Sequence, residues 1–268
     1  MNFAQLLVLD PSSFRRRPVL PYDNIKYGLL YNWYATQEQG TGVWLVGDDM
    51  RSEGWDVPTY NDFIELILNI EPDTSSADFY RTNTVGKKLK ETGTTYWQED
   101  NSEGNIYYYS LRAGGARSDT GTLQLFRQIG SLQTSTQIGS LQTSTQIIST
   151  QNWAFNGRYN FDNLNPFGIV KKSGISIRLV RPATTAEQAL PDGELSGVYY
   201  YGNDEKVYRT TKIGTQVWVA DNLAETKWSN GNYIFGWSEG GLVEISDVDW
   251  AARTEAAVCV YGNQIGNM

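Results

Sequence analysis

Five asparagines and five aromatic rings crowd into QNWAFNGRYNFDNLNPF, residues 151–167. An asparagine amide offers a donor and an acceptor together, and an aromatic ring gives a large rigid contact area at small entropic cost. Residues of these types suit a recognition surface. The candidate ligand-binding residues are Trp153, Phe155, Asn156, Arg158, Tyr159, Asn160, Phe161, Asn163 and Asn165. The competing reading is an irregular internal loop, because asparagines also cap turns and aromatics also fill cores.

Bond-making chemistry finds little to work with. The chain has no histidine and one cysteine, Cys259, which removes Ser-His-Asp and Cys-His catalysis, Cys/His zinc sites and any intrachain disulfide. Cys259, within AAVCVY, reads as a small buried hydrophobe on a strand. Glu53 with Asp56 is an imaginable acid pair, yet nothing sets two carboxylates across a cleft as glycoside hydrolysis requires. Gly114 and Gly115 lack the lysine-serine signature and the following helix of a phosphate loop. The expectation is a protein that is not an enzyme, with no cofactor and no metal.

At 268 residues the chain has room for one or two domains, and 40% hydrophobic with 19% charged residues is ordinary globular composition. Its net charge is −8, and the basic residues form no stripe beyond Arg15–Arg17, so no nucleic-acid partner is expected. No apolar run reaches bilayer-spanning length, so membrane insertion is not expected. Phe3–Leu9 is apolar but short, has no basic residue before it and meets Asp10, unlike a signal peptide. The chain therefore reads as made in a cytoplasm, reaching the outside as part of a particle released by lysis.

The elements that must position the recognition stretch can be read in outline. Residues 173–181 (SGISIRLVR) alternate as a half-buried strand, central to the module. Thr59 with Asp62 makes a capping box for a main helix over about 59–70, with Phe63, Leu66, Ile67 and Ile70 on its buried face. Glu71-Pro72 stops it. A second short helix is expected around Val85 to Lys90, a strand from Ile106 to Leu111, and buried strand or turn-strand structure at Tyr27–Ala35. Residues 1–21, with prolines at 18 and 21, read as an extended N-terminal arm. Residues 182–204 open with a linker composition, and 205–268 carry strand-like runs around Ile213-Gly214 and at Ala256–Tyr261.

Residues 128–136 (QIGSLQTST) recur unchanged at 137–145, and a third, degenerate copy starts at Gln146. Two copies are fewer than a solenoid needs, so 128–150 is expected to be a protruding hairpin or loop that tolerates growth. Its alternating content would suit strand addition between subunits.

Eight stretches now carry a resemblance: YGLLYNWYA (27–35), GWDVPTYNDF (54–63), GKKLKETG (86–93), LRAGGARSDTG (111–121), STQNW (149–153), SGISIRLVR (173–181), KIGTQVWVADNL (212–223) and AAVCVYGN (256–263). Together they resemble the Fibrobacter succinogenes major paralogous domain. That domain is a branch of the C-type-lectin-like and formylglycine-generating-enzyme-like folds, and it includes proteins varied by diversity-generating retroelements. The resemblance implies an α+β, C-type-lectin-like fold with small twisted antiparallel sheets, one main helix, a second short helix and long loops. In that family the KIGTQVW and CVYGN equivalents come first, whereas here they come last. The order reads as a circular permutation, with 22–181 as the lectin-like module and 205–268 completing it in the same chain or in a neighbouring subunit.

The enzyme branch of that superfold requires cysteine or metal chemistry that one cysteine and no histidine cannot supply. The Glu-Pro-Asn and Trp-Asn-Asp signatures of calcium-dependent sugar binding are also missing, with Glu71-Pro72-Asp73 a weak mimic. The expected function is a non-enzymatic phage virion protein, a fibre, tail or head decoration, whose lectin-like domain binds host-surface glycan or protein through 151–167. The alternatives are a purely structural virion component, or a bacterial surface-associated adhesin. A homo-oligomer is expected, with other virion proteins contacted through 1–21 and 128–150.

Overall fold

Phe63, Leu66, Ile67 and Ile70 recur at the spacing of one helical face, and in the computed structural model they are the buried face of a helix at Tyr60–Ile70. The Thr59 hydroxyl accepts from the Asp62 N–H at 3.3 Å, and the Asp62 carboxylate accepts from the Thr59 N–H at 2.6 Å. That reciprocal pair satisfies two donors the helix start would otherwise leave open. The structure describes residues 26–75, 82–138, 150–194, 199–264, 266 and 268. The expected arm at 1–21 and the second repeat copy from residue 139 lie outside them.

The architecture is α+β. Its helices are α1 (Asp48–Ser52), α2 (Tyr60–Ile70), α3 (Val85–Leu89), α4 (Thr185–Gln188) and α5 (Asp247–Ala252). The early strands are β1 (Leu30–Tyr31), β2 (Ala116–Arg117), β3 (Leu123–Gln124), β4 (Ile129–Gln137), β5 (Gln151–Arg158) and β6 (Leu164–Val170). The later ones are β7 (Val180–Pro182), β8 (Tyr199–Tyr201), β9 (Val207–Ile213), β10 (Gln216–Val219), β11 (Trp237–Ser238), β12 (Gly241–Leu242) and β13 (Val258–Cys259). They form a three-stranded sheet β4-β5-β6, a four-stranded sheet β7-β10-β9-β8, and the pairs β1-β13, β2-β3 and β11-β12. Every pairing between these strands is antiparallel.

Residues 173–181 are the hub, though not as a half-buried strand. Gly174 bridges Arg117, Ile175 bridges Tyr31 and Ser176 bridges Leu132 in parallel, while Val180 bridges Asp56. Ile177 and Leu179 then offer their carbonyls to Leu223 and Val219 at 2.9 Å each. With neighbours on every side, Ile175, Ile177 and Leu179 are buried, and so are Ser176 and Arg178. The alternation read from sequence separates apolar from polar partners rather than core from solvent.

Three further expectations are corrected. Ile106–Leu111 is a series of turns: the Asn105 side chain accepts from the Ser110 N–H at 2.6 Å and donates to its hydroxyl at 3.1 Å. This local bonding competes with a ladder, and Asn105, Tyr108 and Ser110 take positive φ. The first repeat copy is no surface loop, since Ile129, Ser131, Leu132, Gln133 and Thr134 are buried in β4. A bulge after Gln133 turns the strand toward α2, where Ser135 N–H donates to Pro58 and Thr136 Oγ1 accepts from Tyr60 N–H at 2.9 Å each. The linker-like stretch begins as structure. Glu187 of α4 closes a capping box with Thr184 and takes a two-pronged ion pair from Arg181 at 2.8 and 2.5 Å.

Residues 205–263 lie against the rest of the same chain. Val217 faces Arg181 across β10-β7, and Cys259 faces Leu30 across β13-β1. One core joins Leu29, Tyr31, Trp55, Ile177 and Leu179 to Tyr200, Tyr208, Val217, Val219, Leu223 and Val258. A second packs α2 and α3 against Trp97, Tyr109, Leu132, Phe155, Leu164 and Trp218. Among the described residues no helix is long and apolar enough to cross a membrane.

Candidate functional site

The stretch 151–167 folds as a hairpin, β5 turning into β6, and strand alternation sorts its side chains onto two faces. Trp153 and Phe155 point toward α2. Phe155 is fully buried, stacked on Phe63 with ring centres 4.6 Å apart and planes 19° apart. Trp153 is half-buried beside Tyr60, 5.0 Å between centres. Tyr159 packs against the same core. Two of the sequence candidates, Trp153 and Phe155, therefore serve packing, and Phe155 has no surface to offer a ligand. Asn160 is exposed at the turn.

The remaining five converge. Asn156, Arg158, Phe161, Asn163 and Asn165 line one open groove of about 460 Å³, completed by Pro166 and Phe167. Asn156 stands opposite Asn165 across β5-β6, and opposite the buried Ser131 across β4-β5. The Asn156 side chain, in a residue 7% exposed, has no protein hydrogen-bond partner among the described residues. Asn165 Oδ1 is also buried without one. Arg158 is exposed at the groove mouth and makes no ion pair among the described residues. Phe161 presents half its surface to solvent.

The turn at 158–164 that rims this groove is bonded to α3 and the residues flanking it. Lys90, itself buried, donates from Nζ to the carbonyls of Arg158 at 3.1 Å and Phe161 at 2.9 Å. Burial pulls its ammonium below the usual lysine range. The Lys87 N–H donates to Asp162 at 2.7 Å, and Asn83 brackets Leu164 with bonds of 2.9 and 3.3 Å. Gly86 permits the contact, since a Cβ there would lie 2.2 Å from the Asn163 carbonyl. Asn83, Gly86 and Lys90 are positioning residues that sequence reasoning missed. Gly86 and Lys90 stand in GKKLKETG, but nothing in that stretch says which turn the helix clamps, and Asn83 lies before it.

A pair of carboxyls was missed as well. Glu225 is fully buried, accepting from the Tyr208 hydroxyl at 2.6 Å and from the Asp204 N–H at 3.2 Å. Burial first, then the neighbouring Asp204 charge, pushes its carboxyl up to about 8. For Asp204, burial works in the same direction, but Lys206 and the Thr226 N–H outweigh it and hold it below the usual range. Two carboxyls with divergent protonation resemble an acid-base pair, yet Glu225 is fully enclosed beside Tyr208 and Tyr31, both buried. Glu53 and Asp56 form no such pair. Asp56 lies on the surface, accepting from the Val57 N–H and facing Arg51 at 3.5 Å. Glu71 of the Glu-Pro-Asp mimic spends its carboxylate on Thr84 and Lys88.

A family model, the Fibrobacter succinogenes major domain, matches residues 17–181 of the 268. The match takes in α2, α3 and both strands of the groove hairpin, and it ends on β7. No curated protein and no solved structure matches the chain. More than half of its length answers to that one description, and the chain belongs to the Fibrobacter succinogenes major domain family.

Proposed function

We propose that this is a non-enzymatic binding protein that takes a host-surface glycan or protein into the Asn156–Arg158–Asn165 groove. The observation that carries the reading is the convergence on a single groove of the Asn156 amide and the Asn165 Oδ1, neither with a protein hydrogen bond among the described residues, with the Arg158 guanidinium, which makes no ion pair among them, and the exposed Phe161 ring, above a turn held by Lys90. The Asn156 amide and the Asn165 Oδ1 favour a ligand that can complete their hydrogen bonds. The exposed Phe161 ring supplies a stacking surface beside them. Against a covalent mechanism stands Cys259, whose thiol burial pushes up to about 11. A thiol so far from ionisation is a poor nucleophile.

Display on a phage particle, as a fibre, tail or head decoration, is the setting that the permuted motif order and the repeat suggest. Capsid or tail genes beside the coding sequence would support it, and a neighbourhood of metabolic genes would count against it. The groove is tested by Arg158→Ala combined with Phe161→Ala, both exposed, so the fold should survive. Binding to whole cells or to a glycan array should drop at least tenfold. Unchanged binding with an unchanged melting curve would remove the groove from consideration.

A further inference from the structure

β4 is built from a sequence the chain carries twice. Residues 128–138 (QIGSLQTSTQI) read identically to residues 137–147. The identity is longer than the strand itself and takes in its end contacts. Gln128 accepts from the Tyr159 N–H at 2.9 Å at one end. At the other, Gln137 Oε1 accepts from Lys171 Nζ at 2.6 Å, and the Ile138 N–H donates to Gln151 at 3.1 Å. Between them lie the buried Ile129, Ser131, Leu132, Gln133 and Thr134. Each of these residues has a copy nine positions later.

We propose that β4 has two interchangeable registers, nine residues apart, in which either copy of the repeat fills the slot beside β5. On an ordinary strand a slip by an odd number turns every inward side chain outward, so a buried strand is held to one register. Here the slip equals the repeat, and each slot receives the residue type it already holds. The bulge is reproduced too, because Thr134-Ser135-Thr136 recurs as Thr143-Ser144-Thr145. The connection to β5 shortens from 138–150 to 147–150, which remains within the range of hairpin loops. Nine residues pass to the connection before β4. Closure entropy varies only with the logarithm of loop length, so the transfer changes the balance little. The surplus copy thereby moves from the Gln137–Asn152 end of the sheet to the Ile129–Arg158 end, beside the groove.

Aspartate substitutions in the full chain test this. Leu132 is 1% exposed in the core beside Phe155, and with a single register Leu132→Asp should abolish cooperative melting. With two registers, Leu132→Asp and Leu141→Asp should each keep a cooperative transition, and the double variant should lose it. Leu132→Asp melting as badly as the double variant would overturn the proposal. A second measurement reads the register directly. Ser131 stands opposite Asn156, so S131C with N156C, and separately S140C with N156C, should each form an intrachain disulfide on diamide oxidation, seen by peptide mass spectrometry. Cross-linking by the S131C pair alone would overturn the proposal. A disulfide that joins two chains through S140C would also overturn it, by assigning the second copy to a neighbouring molecule.

Discussion

Arg178 Nε donates to Asn222 Oδ1 at 2.9 Å in the interior, both residues almost fully buried. The guanidinium finishes its bonding on the Tyr109 carbonyl and on the Ser110 carbonyl at 2.7 Å, and lies 4.4 Å from the centre of the Tyr109 ring. Among the described residues no carboxylate forms an ion pair with it. Burial pulls this arginine down to about 10, and carbonyl dipoles, an amide and a π face carry the charge instead. Asn222 is the knot, since its amide also donates to Tyr27 O at 2.8 Å and Ser176 Oγ at 3.2 Å.

Asn222→Ala should therefore do far more damage than its size suggests. It leaves a buried guanidinium nitrogen and the Tyr27 carbonyl without partners, and each such orphan costs about 1–3 kcal/mol. The urea midpoint should fall by an amount equal to roughly 2–5 kcal/mol at unchanged slope. A loss below about 0.5 kcal/mol, the range of an ordinary surface change, would show that the knot is replaced by water or by repacking.

The parts legible in sequence were those governed by local spacing. Thr59, Asp62 and the Phe63–Ile70 stripe specify α2 without reference to any other element. The groove was half legible for a related reason. Amides and rings in 151–167 suggested a recognition surface, but which of them line the groove depends on strand phase. Phase was set by Phe155 meeting Phe63, a contact more than ninety positions apart in the chain. The repeat misled because identical copies suggest a tolerated surface insertion, whereas one copy is a largely buried strand, β4, paired with β5. Glu225 gave no signal at all, since a single acidic residue in LAETKW carries no mark of its burial.

That burial has a pH signature. The Glu225 carboxyl titrates near 4.5 when unperturbed and near 8 in the fold. Between those values the fold keeps a proton that the unfolded chain has released. Its contribution to stability is complete below about 4.5 and is lost as pH rises through about 8, at up to about 1.4 kcal/mol per pH unit. Glu225→Gln keeps an acceptor for the Tyr208 hydroxyl and cannot ionise. Thermal melts between about pH 5 and pH 8 should show the parent losing stability with rising pH more steeply than the variant. Parallel pH profiles would mean that another group carries the dependence.

The last prediction concerns how far the matched region stands alone. The family match ends at Arg181, yet Arg181 pairs with Val217 on β10, and Leu30 pairs with Cys259 on β13. Ending the chain at residue 181 would strip β7 and β1 of these partners, leaving backbone donors and acceptors open on two edges. It would also remove Tyr200, Tyr208, Val217, Val219, Leu223 and Val258 from the core shared with Leu29, Tyr31, Trp55, Ile177 and Leu179. At about 1.5–3 kcal/mol for each large side chain kept from water, that loss is comparable to the whole 5–15 kcal/mol by which a domain is ordinarily stable. Asn222, which closes the Arg178 knot, goes with them. A fragment of residues 1–181 should then be insoluble, or should melt without a cooperative transition. Adding residues 182–268 as a separate chain should restore the transition if the two parts make one composite domain. A sharp melt from 1–181 by itself would instead make the matched region autonomous and the remainder an appendage.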